Sequence, residues 1–250
     1  MIGSVERYSS STGRRRANIF GSRLMRVLLI AFVLYLIIFG FVATTYRIES
    51  VSMEPGLMPS DRVIVSLLAF GARVPFFQSR LPGLGVPERG DLVVIKPPFL
   101  DEPGLLWRIL EPLASFLSLQ KATLHRDLYG SRVNAYMVKR IVGIPGDTVR
   151  MRDYILQIKA RGAADFVPEQ QLIPVRYQVL TSLTARGWSA SLPLSGNGGD
   201  LVLEPGEYFV LGDNRPESSD SRSWGYVQRK SIYGKAVFIY WPPDKIGRLR

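Results

Sequence analysis

The apolar and polar positions of the chain divide it into two parts. From Val27 to Thr45 the sequence VLLIAFVLYLIIFGFVATT carries no charge. At about 1.5 Å per residue this run forms a helix of roughly 28 Å, close to the ~30 Å hydrocarbon core of a bilayer. A buried core helix of this length would usually carry a polar stripe. The pattern therefore predicts one transmembrane anchor, over residues 23–46.

The charges on either side of this run predict its orientation. Arginines crowd the chain before the run, whereas Arg47 alone follows it closely. Because positive charge is retained on the cytoplasmic side of a membrane, we expect a cytoplasmic N-terminus and a body on the far side. Residues 1–22 are predicted to be a disordered, basic cytoplasmic tail. A cleavable signal peptide shares this layout, but the run is longer than the usual apolar core and no clean A-x-A-like site follows. The charged residues before the run are Glu6, Arg7, Arg14, Arg15, Arg16, Arg23 and Arg26.

After the anchor the apolar positions come in short runs that are bounded by Gly, Pro and other turn residues. The runs are DRVIVSLLAFG, GDLVVIKPP, YMVKRIVGIPGDTVRM, YILQIKA, EYFVLGD and KAVFIYWPP. Such runs are typical of strands, so residues 47–250 are predicted to form a mainly antiparallel β body. Leu105–Leu119 differs, because its apolar residues recur at helical spacing, with Pro112 as a kink or break. This stretch is either a core helix or a segment that lies on the bilayer.

Composition narrows the chemistry that is open to the β body. The net charge of +11 would suit a nucleic-acid-binding protein, but +5 of it lies in the first 26 residues, beside the anchor, and the remaining +6 is diffuse. No aromatic-basic recognition motif is present. The chain has no cysteine, which excludes disulfides, thiolate nucleophiles and Cys/His zinc sites. The chain has one histidine, His125, so it is the single candidate for the base of a Ser-His-Asp triad. No spaced Asp/Glu cluster suggests a metal site, and no cofactor is expected.

Three polar features stand in places that turn or strand propensity does not require. Ser52 lies just after the anchor, Lys139 lies between apolar neighbours in a predicted strand, and Gly212–Gly225 is a polar loop that strands anchor at both ends. Burial removes the hydration of an ammonium group and lowers the lysine pKa from ~10.4 by as much as ~3–5 units. A neutral lysine can act as general base for a serine nucleophile. The alternative is a lysine whose stem lies on an apolar face while its charge stays in water.

Four short motifs follow the anchor in a fixed order: SVSMEP, GDLVVIKPP, VKRIVGIPGD and GDNRPESSDSRSWG. In this order they resemble the successive conserved boxes of bacterial type I signal peptidase, the leader peptidase family S26. Each box is short, but the ordered set is specific. With the anchor and the intervening strands, the resemblance covers most of the chain.

The resemblance implies roles for individual residues. Ser52 would be the nucleophile and Lys139 its general base, which together form a Ser-Lys dyad. The Ser50 hydroxyl and the Ser52 backbone N–H would form the oxyanion hole, and Ser218 would orient the lysine amine. Structural support behind the dyad is implied for Arg140, Asp213, Asn214, Asp220 and Arg222. Pockets for small side chains at the −1 and −3 positions of a signal peptide are implied for Ile48, Met53, Leu57 and Val138.

The resemblance also implies the architecture. We expect a mainly β protein: an antiparallel β-sheet catalytic body of the signal peptidase type over residues 47–250, with one N-terminal transmembrane helix. A smaller inserted β-rich subdomain is expected at about 151–204. Residues 100–134 would be an extra insertion with helical character, since the family generally has a shorter connection between its second and third boxes.

The implied function is that of a membrane-bound serine endopeptidase that removes signal peptides. It would be a single-pass protein of the bacterial cytoplasmic (inner) membrane, with its catalytic domain on the periplasmic side. Its partners would be the signal peptides of exported preproteins, the lipid bilayer and, as a further candidate, the protein export translocon, but no nucleic acid. Since Ser52 follows Thr45 closely, the nucleophile must stay near the membrane surface. An apolar β face beside it is expected to dip into the interface, and the candidates for this face are Val74, Phe76 and Phe77.

The sequence departs from the family pattern at three positions. Gly56 stands where a threonine commonly follows Met-x-Pro, Val51 stands where a glycine often separates the two serines, and Met137 stands where many members have tyrosine. Val51 would restrict the oxyanion loop, and Met137 would reshape the pocket wall. None of the three removes a catalytic hydroxyl or the amine.

Two other functions stay open for a protein of this kind. The same fold with an inactive site would be a membrane-tethered, β-rich protein that binds peptides or assists secretion, although the complete dyad with Ser50 and Ser218 disfavours it. A serine hydrolase that uses His125 is the second alternative. The surroundings of His125, TLHRDLYG, resemble a surface loop.

Overall fold

A long N-terminal helix leads directly into the β body. The computed structural model describes residues 9–72, 80–98, 110, 113, 114, 116, 117, 136–181 and 197–249, with side chains from residue 23 onward. Helix α1 runs over Ser9–Ile37 and continues as a π-helical turn over Ile38–Val42. It begins upstream of the predicted anchor, in a stretch whose Arg and Ala residues are good helix formers. The part from Arg23 to Val42 is long and apolar enough to cross a membrane.

The larger of two sheets has eight strands, in the order β1-β2-β11-β3-β4-β9-β10, with β12 paired to β11. Among the described residues, every strand pair in both sheets is antiparallel. The strands are β1 Ala43–Arg47, β2 Arg62–Ser66, β3 Leu92–Ile95, β4 Met137–Gly143, β9 Glu207–Leu211, β10 Val227–Gln228, β11 Ile232–Trp241 and β12 Gly247–Arg248. Because β1 starts where the π-helical turn ends, the sheet edge continues directly from the anchor.

The smaller sheet has four strands, in the order β7-β6-β5-β8. They are β5 Thr148–Arg152, β6 Ile155–Lys159, β7 Val167–Pro168 and β8 Leu201–Val202. A short helix, α2, follows β7 over Glu169–Leu172. All these elements lie between β4 and β9 in the chain, so they form an insertion between two neighbouring strands of the larger sheet. An inserted β-rich subdomain was expected at about 151–204, and the strands of the smaller sheet lie within 148–202.

Alternating apolar residues of the strands form the core. On β2, for example, Val63 and Val65 are fully buried while Arg62 is exposed, as expected for a strand with one covered face. β3 is buried along its whole length, consistent with its central place in the sheet. A separate cluster of buried residues packs the smaller sheet against β4 and β9 of the larger one. Its members from the smaller sheet include Val149, Met151, Leu156 and Ile158. The prediction of a mainly antiparallel β fold with one N-terminal apolar helix is confirmed.

Some predictions concern residues that the structure does not describe. Val74, Phe76, Phe77 and His125 lie outside the described residues. Of the Leu105–Leu119 stretch, only Leu110, Leu113, Ala114, Phe116 and Leu117 are described, and these five are helical.

Candidate active site

The serine of the SVSMEP motif lies on a tight turn between β1 and β2. Ser52 is the central residue of a 3-10 turn over Val51–Met53, and only 5% of it is exposed. Asn214 holds this turn in place: its backbone N–H donates to the Ser52 carbonyl at 3.1 Å, and its side-chain amide donates to the Val51 carbonyl at 3.2 Å. The backbone of the hydroxyl-bearing residue is therefore held by the polar loop that follows β9.

Lys139 brings two distant hydroxyl groups together. It lies on β4, paired with Val93 of β3, and 2% of it is exposed. Its Nζ lies 2.9 Å from the Ser52 Oγ and 3.1 Å from the Ser218 Oγ. The amine, the turn serine and the loop serine therefore form one hydrogen-bonded cluster, although they come from three separate parts of the chain.

The surroundings of Lys139 favour an uncharged amine. Burial lowers the pKa of Lys139 to about 8, against the opposing attraction of Asp220. With that pKa, about one amine in ten is neutral at pH 7, and most are neutral above pH 9. A neutral amine has a lone pair for the Ser52 proton and N–H groups that can donate to Ser218. The cluster can therefore transfer a proton from a hydroxyl to an amine.

A third serine lies on the exposed side of the Ser52 hydroxyl. The Ser50 Oγ and the Ser52 Oγ are 3.0 Å apart, and either can donate. Ser50 itself is exposed. A hydroxyl in this position can donate to an oxygen of a peptide that is bound against Ser52, where negative charge would develop during attack on a carbonyl.

Behind Ser52 and Lys139, the loop after β9 is fixed by a buried carboxylate. Ser218 Oγ donates to Asp220 Oδ2 at 2.7 Å, and the Gly212 N–H donates to the same oxygen at 3.0 Å. Arg222 Nε and Nη2 each donate to Asp220 at 2.8 Å. Burial works against ionisation of Asp220, but the hydrogen bonds and charge of Arg222, the charge of Lys139 and the Gly212 N–H together outweigh it and hold the pKa of the carboxyl below its usual value. Ser218 is thus oriented towards Lys139 by an ionised partner.

A second buried ion pair ties β4 to the same loop. Arg140 Nε and Nη2 donate to the two oxygens of Asp213 at 2.9 and 2.7 Å, and both residues are buried. Arg140 Nη1 also donates to the Gly90 carbonyl at 2.8 Å. Since Arg140 follows Lys139 directly, this bidentate pair fixes the strand on which the amine lies. The structure thus brings together all five residues for which structural support was predicted.

The structure adds a buried ion pair that the sequence did not indicate. Arg215 Nη2 lies 2.5 Å from Glu169 Oε1, with both side chains buried, and Arg215 Nε donates to the Gly212 carbonyl at 2.9 Å. Glu169 begins α2 of the smaller subdomain, next to Tyr177, whose ring lies 4.2 Å from the Arg140 guanidinium carbon. Arg215 is visible in the polar loop of the sequence, but nothing in the sequence signals that Glu169 is its partner.

A cleft of about 290 Å³ opens in front of Ser52 and Lys139. Ile48, Met53 and Val138, which were predicted to line a substrate pocket, are among the residues that line this cleft. Leu57, predicted with them, is fully buried in the core cluster of the larger sheet and is not among the residues that line the cleft. Its place in the prediction came from the motif alone, and its side chain packs into the core instead. The remaining lining residues are Tyr46, Glu49, Ser50, Ser52, Tyr136, Met137, Lys139, Glu217 and Ser219.

Comparison with known proteins identifies the family. The model of the signal peptidase family, peptidase S26, matches residues 22–241. The chain is 26% identical to signal peptidase I of Bacillus licheniformis over 223 residues, which cover 89% of each chain. It is 27% identical to signal peptidase I of Pseudomonas aeruginosa over 251 residues, which cover 92% of this chain and 75% of the relative.

A solved structure is also similar to part of the chain. The crystal structure of a signal peptidase I from Enterococcus faecalis matches with 24% identity and a TM-score of 0.31, over 60% of this chain and 96% of that one. The family match covers most of the sequence, including the stretches that carry the Ser52 and Lys139 cluster. The chain therefore belongs to the signal peptidase family, peptidase S26, and is a serine peptidase.

Proposed function

We propose that this protein is a membrane-anchored endopeptidase that removes N-terminal signal peptides from exported preproteins, with Ser52 as nucleophile and Lys139 as general base. The observation that carries the proposal is the 2.9 Å distance between the Lys139 Nζ and the Ser52 Oγ at a buried position. The names of the relatives, signal peptidase I from several bacteria, support the choice of substrate.

In the first half of the proposed reaction, the neutral Lys139 amine accepts the Ser52 proton as the Oγ attacks the scissile carbonyl carbon. The carbonyl oxygen becomes an oxyanion, to which the Ser50 hydroxyl and the Ser52 backbone N–H donate. The protonated amine then gives its proton to the leaving nitrogen, and the peptide bond breaks. The signal peptide is left as an ester on Ser52, and the mature protein departs with a free amino group.

In the second half, a water molecule replaces the departed amine. Lys139 accepts a proton from this water, the hydroxide adds to the ester carbonyl, and the amine returns the proton to the Ser52 Oγ as the ester breaks. Ser218 remains the hydrogen-bond partner of the amine throughout, because its own proton is donated to Asp220. This bond orients the amine so that its lone pair faces Ser52.

The walls of the cleft support a preference for small side chains next to the scissile bond. Ile48, Met53 and Val138 are buried and branched or thioether side chains, and they narrow the cleft beside Ser52. Alanine fits between such walls, whereas a larger side chain would have to displace core residues at a cost of about 1–3 kcal/mol. We infer cleavage after substrates with small residues at −1 and −3.

The position of the site along the chain supports a membrane-surface substrate. Ser52 follows the end of β1 by only a few residues, and β1 starts where the helical anchor ends. Even a fully extended connection reaches at most ~3.6 Å per residue, so Ser52 stays close to the bilayer. With the arginine-rich N-terminus in the cytoplasm, the catalytic body of this single-pass protein lies on the extracytoplasmic side, next to preproteins that leave the export translocon.

Two substitutions test the proposal directly. S52A and K139A should each abolish cleavage of a preprotein in detergent while the thermal unfolding transition remains cooperative. S231A and K159A, at residues outside the cleft, are matched controls that should cleave at the normal rate. Retained turnover in both S52A and K139A would reject the dyad. Inactive wild-type protein, with a well-folded site, would instead favour the alternative of a non-catalytic peptide-binding protein.

A further inference from the structure

Two distant parts of the chain meet on the surface of α1. The Phe116 ring centroid lies 5.1 Å from that of Phe32 and 5.3 Å from that of Tyr35. Tyr35 in turn contacts Phe39 at 4.9 Å. Because residues three and four apart share one face of a helix, Phe32, Tyr35 and Phe39 form a continuous aromatic stripe along α1. Phe116, which lies between β3 and β4 in the chain, packs on this stripe.

The aromatic stripe is the covered face of the helical anchor. Between Arg23 and Ile37, Phe32 and Tyr35 are half-buried, and every other residue is exposed. The exposed residues include large apolar side chains such as Ile30 and Ile37, at 60% and 47%. In water so much exposed apolar surface would be unfavourable, whereas in a bilayer it faces lipid. The segment around Phe116 therefore approaches α1 on a face that lipid would otherwise cover.

The contact with Phe32 gives the depth of Phe116 in the membrane. Phe32 lies near the middle of the Arg23–Val42 span. At about 1.5 Å per residue, it is roughly 14–15 Å from either end, which corresponds to the centre of a ~30 Å hydrocarbon core. A ring in contact with Phe32 has to lie at a similar depth. Phe116 would thus lie well below the surface on which an interfacial helix rests.

The described neighbours of Phe116 suit this depth. Leu110, Leu113, Ala114 and Leu117 are apolar and helical, and Leu117 is 72% exposed. A helical backbone satisfies its own hydrogen bonds, as lipid requires. In the whole sequence from Leu105 to Leu119, only Arg108 and Glu111 are charged. Neither the composition nor the backbone of these residues opposes insertion into hydrocarbon.

The chain leaves the sheet and returns to it at neighbouring points. Ile95, at the end of β3, is paired with Met137, at the start of β4. A segment that starts and ends at such a pair has to enter and leave the membrane on the same side.

We propose that Leu113, Phe116 and Leu117 belong to a re-entrant membrane element, which dips into the bilayer from the side of the catalytic body and packs through Phe116 on the aromatic stripe of the anchor. Its remaining apolar surface, at Leu113 and Leu117, contacts lipid acyl chains. The proposal rests on the anchor crossing the bilayer, as proposed above.

The absence of cysteine from the chain makes a positional test straightforward. In the full-length protein in vesicles of phosphatidylcholine and phosphatidylglycerol, L117C is labelled with an environment-sensitive fluorophore. Quenching by lipids with a nitroxide deep in the acyl chain is compared with quenching by lipids that carry it near the head group. V33C, exposed near the middle of α1, is the deep standard, and V202C, exposed on the smaller sheet, is the aqueous standard. The L117C label should be quenched most by the deep nitroxide, as the V33C label is.

A second measurement tests the packing on the stripe. A short bifunctional thiol reagent should cross-link F32C/F116C at least tenfold faster than I30C/F116C, because Ile30 lies on the opposite face of α1 from Phe32 at nearly the same depth. If the quenching pattern of the L117C label resembles that of the V202C label, Leu117 is not inserted into the bilayer. If the two cysteine pairs cross-link at equal rates, Phe116 does not pack on the aromatic stripe. Either result refutes the proposal. Neither readout depends on peptide cleavage, so an inactive protein would reject the proposed function alone.

Discussion

Gly212 and Ser218 lie so close together that a β-carbon on residue 212 would stand 2.2 Å from the Ser218 Oγ and 2.5 Å from the Ser52 carbonyl oxygen. Both contacts are far shorter than non-bonded atoms allow. The absence of a side chain at Gly212 is therefore what permits the polar loop to reach the dyad. The loop glycine supports the site as directly as the residues that hydrogen-bond in it.

The first prediction follows from this contact. G212A should lower kcat by at least about 10²-fold, since displacement of a catalytic group by about 1 Å has an effect of that size. The measurement is peptide cleavage in detergent. G56A is the matched control, because a β-carbon there would be 3.5 Å from its nearest neighbours, including Asp213, and should leave kcat within about threefold of the wild type. Equal activities of the two variants would contradict the proposed role of the close approach.

The second prediction concerns the hydroxyl beside Ser52. S50A should reduce kcat by about 10²–10³-fold with little change in KM, because one donor to the oxyanion is lost while the ground-state contacts remain. S50T keeps a hydroxyl and should recover a large part of the activity. An increase in KM at constant kcat would show instead that Ser50 serves to bind the peptide. Steady-state kinetics on one synthetic signal peptide separates the two outcomes.

The third prediction is a pH dependence that follows from the lowered pKa of Lys139. The general base has to be neutral, so kcat/KM should rise with pH through about 8 and then level off. An acid limb near the usual lysine pKa of ~10.4 would contradict a buried, desolvated amine. The profile of K159A, which alters a lysine outside the cleft, should have the same acid limb as the wild type.

The fourth prediction is that burial of the Lys139 amine lowers the free energy of unfolding. At pH values below 8, folding has to bury an ammonium or release its proton, and a pKa reduced from 10.5 to about 8 corresponds to about 3 kcal/mol. K139M should therefore be inactive but more resistant to unfolding by urea at pH 7. The penalty disappears between pH 8 and 10.5, as the unfolded chain also loses the proton, so the advantage of K139M should shrink over that range. A constant difference at all pH values would show that the amine is not responsible.

The fifth prediction tests the contact between the smaller subdomain and the polar loop. E169A should destabilise the protein by roughly 3–5 kcal/mol, because it leaves the buried Arg215 guanidinium without its carboxylate. In E169L/R215M both charges are removed, and much of the stability should return. Activity should stay low in the double variant, since the bond from Arg215 Nε to the Gly212 carbonyl is lost as well. Full activity of E169L/R215M would show that this bond does not position the loop.

Much of the site could be predicted from the sequence because the information was local. The strand pattern around Lys139 indicated a lysine among apolar neighbours, and the GDNRPESSDSRSWG loop was recognisable from its composition and its anchored ends. Structural support from Asp213, Asn214 and Asp220 followed from the motif in which they stand. The local sequence pattern could not predict that the Leu57 side chain packs in the core and does not line the cleft, because the sequence of a turn does not show which way each of its side chains points. Nor could it find Glu169, whose partner Arg215 is 46 positions away.

By itself, the sequence determined most of the longer strands, the presence of the apolar anchor and which residue types can perform acid-base chemistry, because these properties depend on near neighbours in the chain. It did not determine where the anchor ends, since β1 begins at Ala43, inside the predicted anchor. Only the tertiary structure decided whether the chemistry is available. The lowered pKa of Lys139 depends on burial by β3, the Ser52 turn and the polar loop together, and no single segment can exclude water from the amine. The same is true of the 2.9 Å distance to Ser52, which exists because the turn between β1 and β2 and the strand β4 bring together residues that are 87 positions apart in the chain.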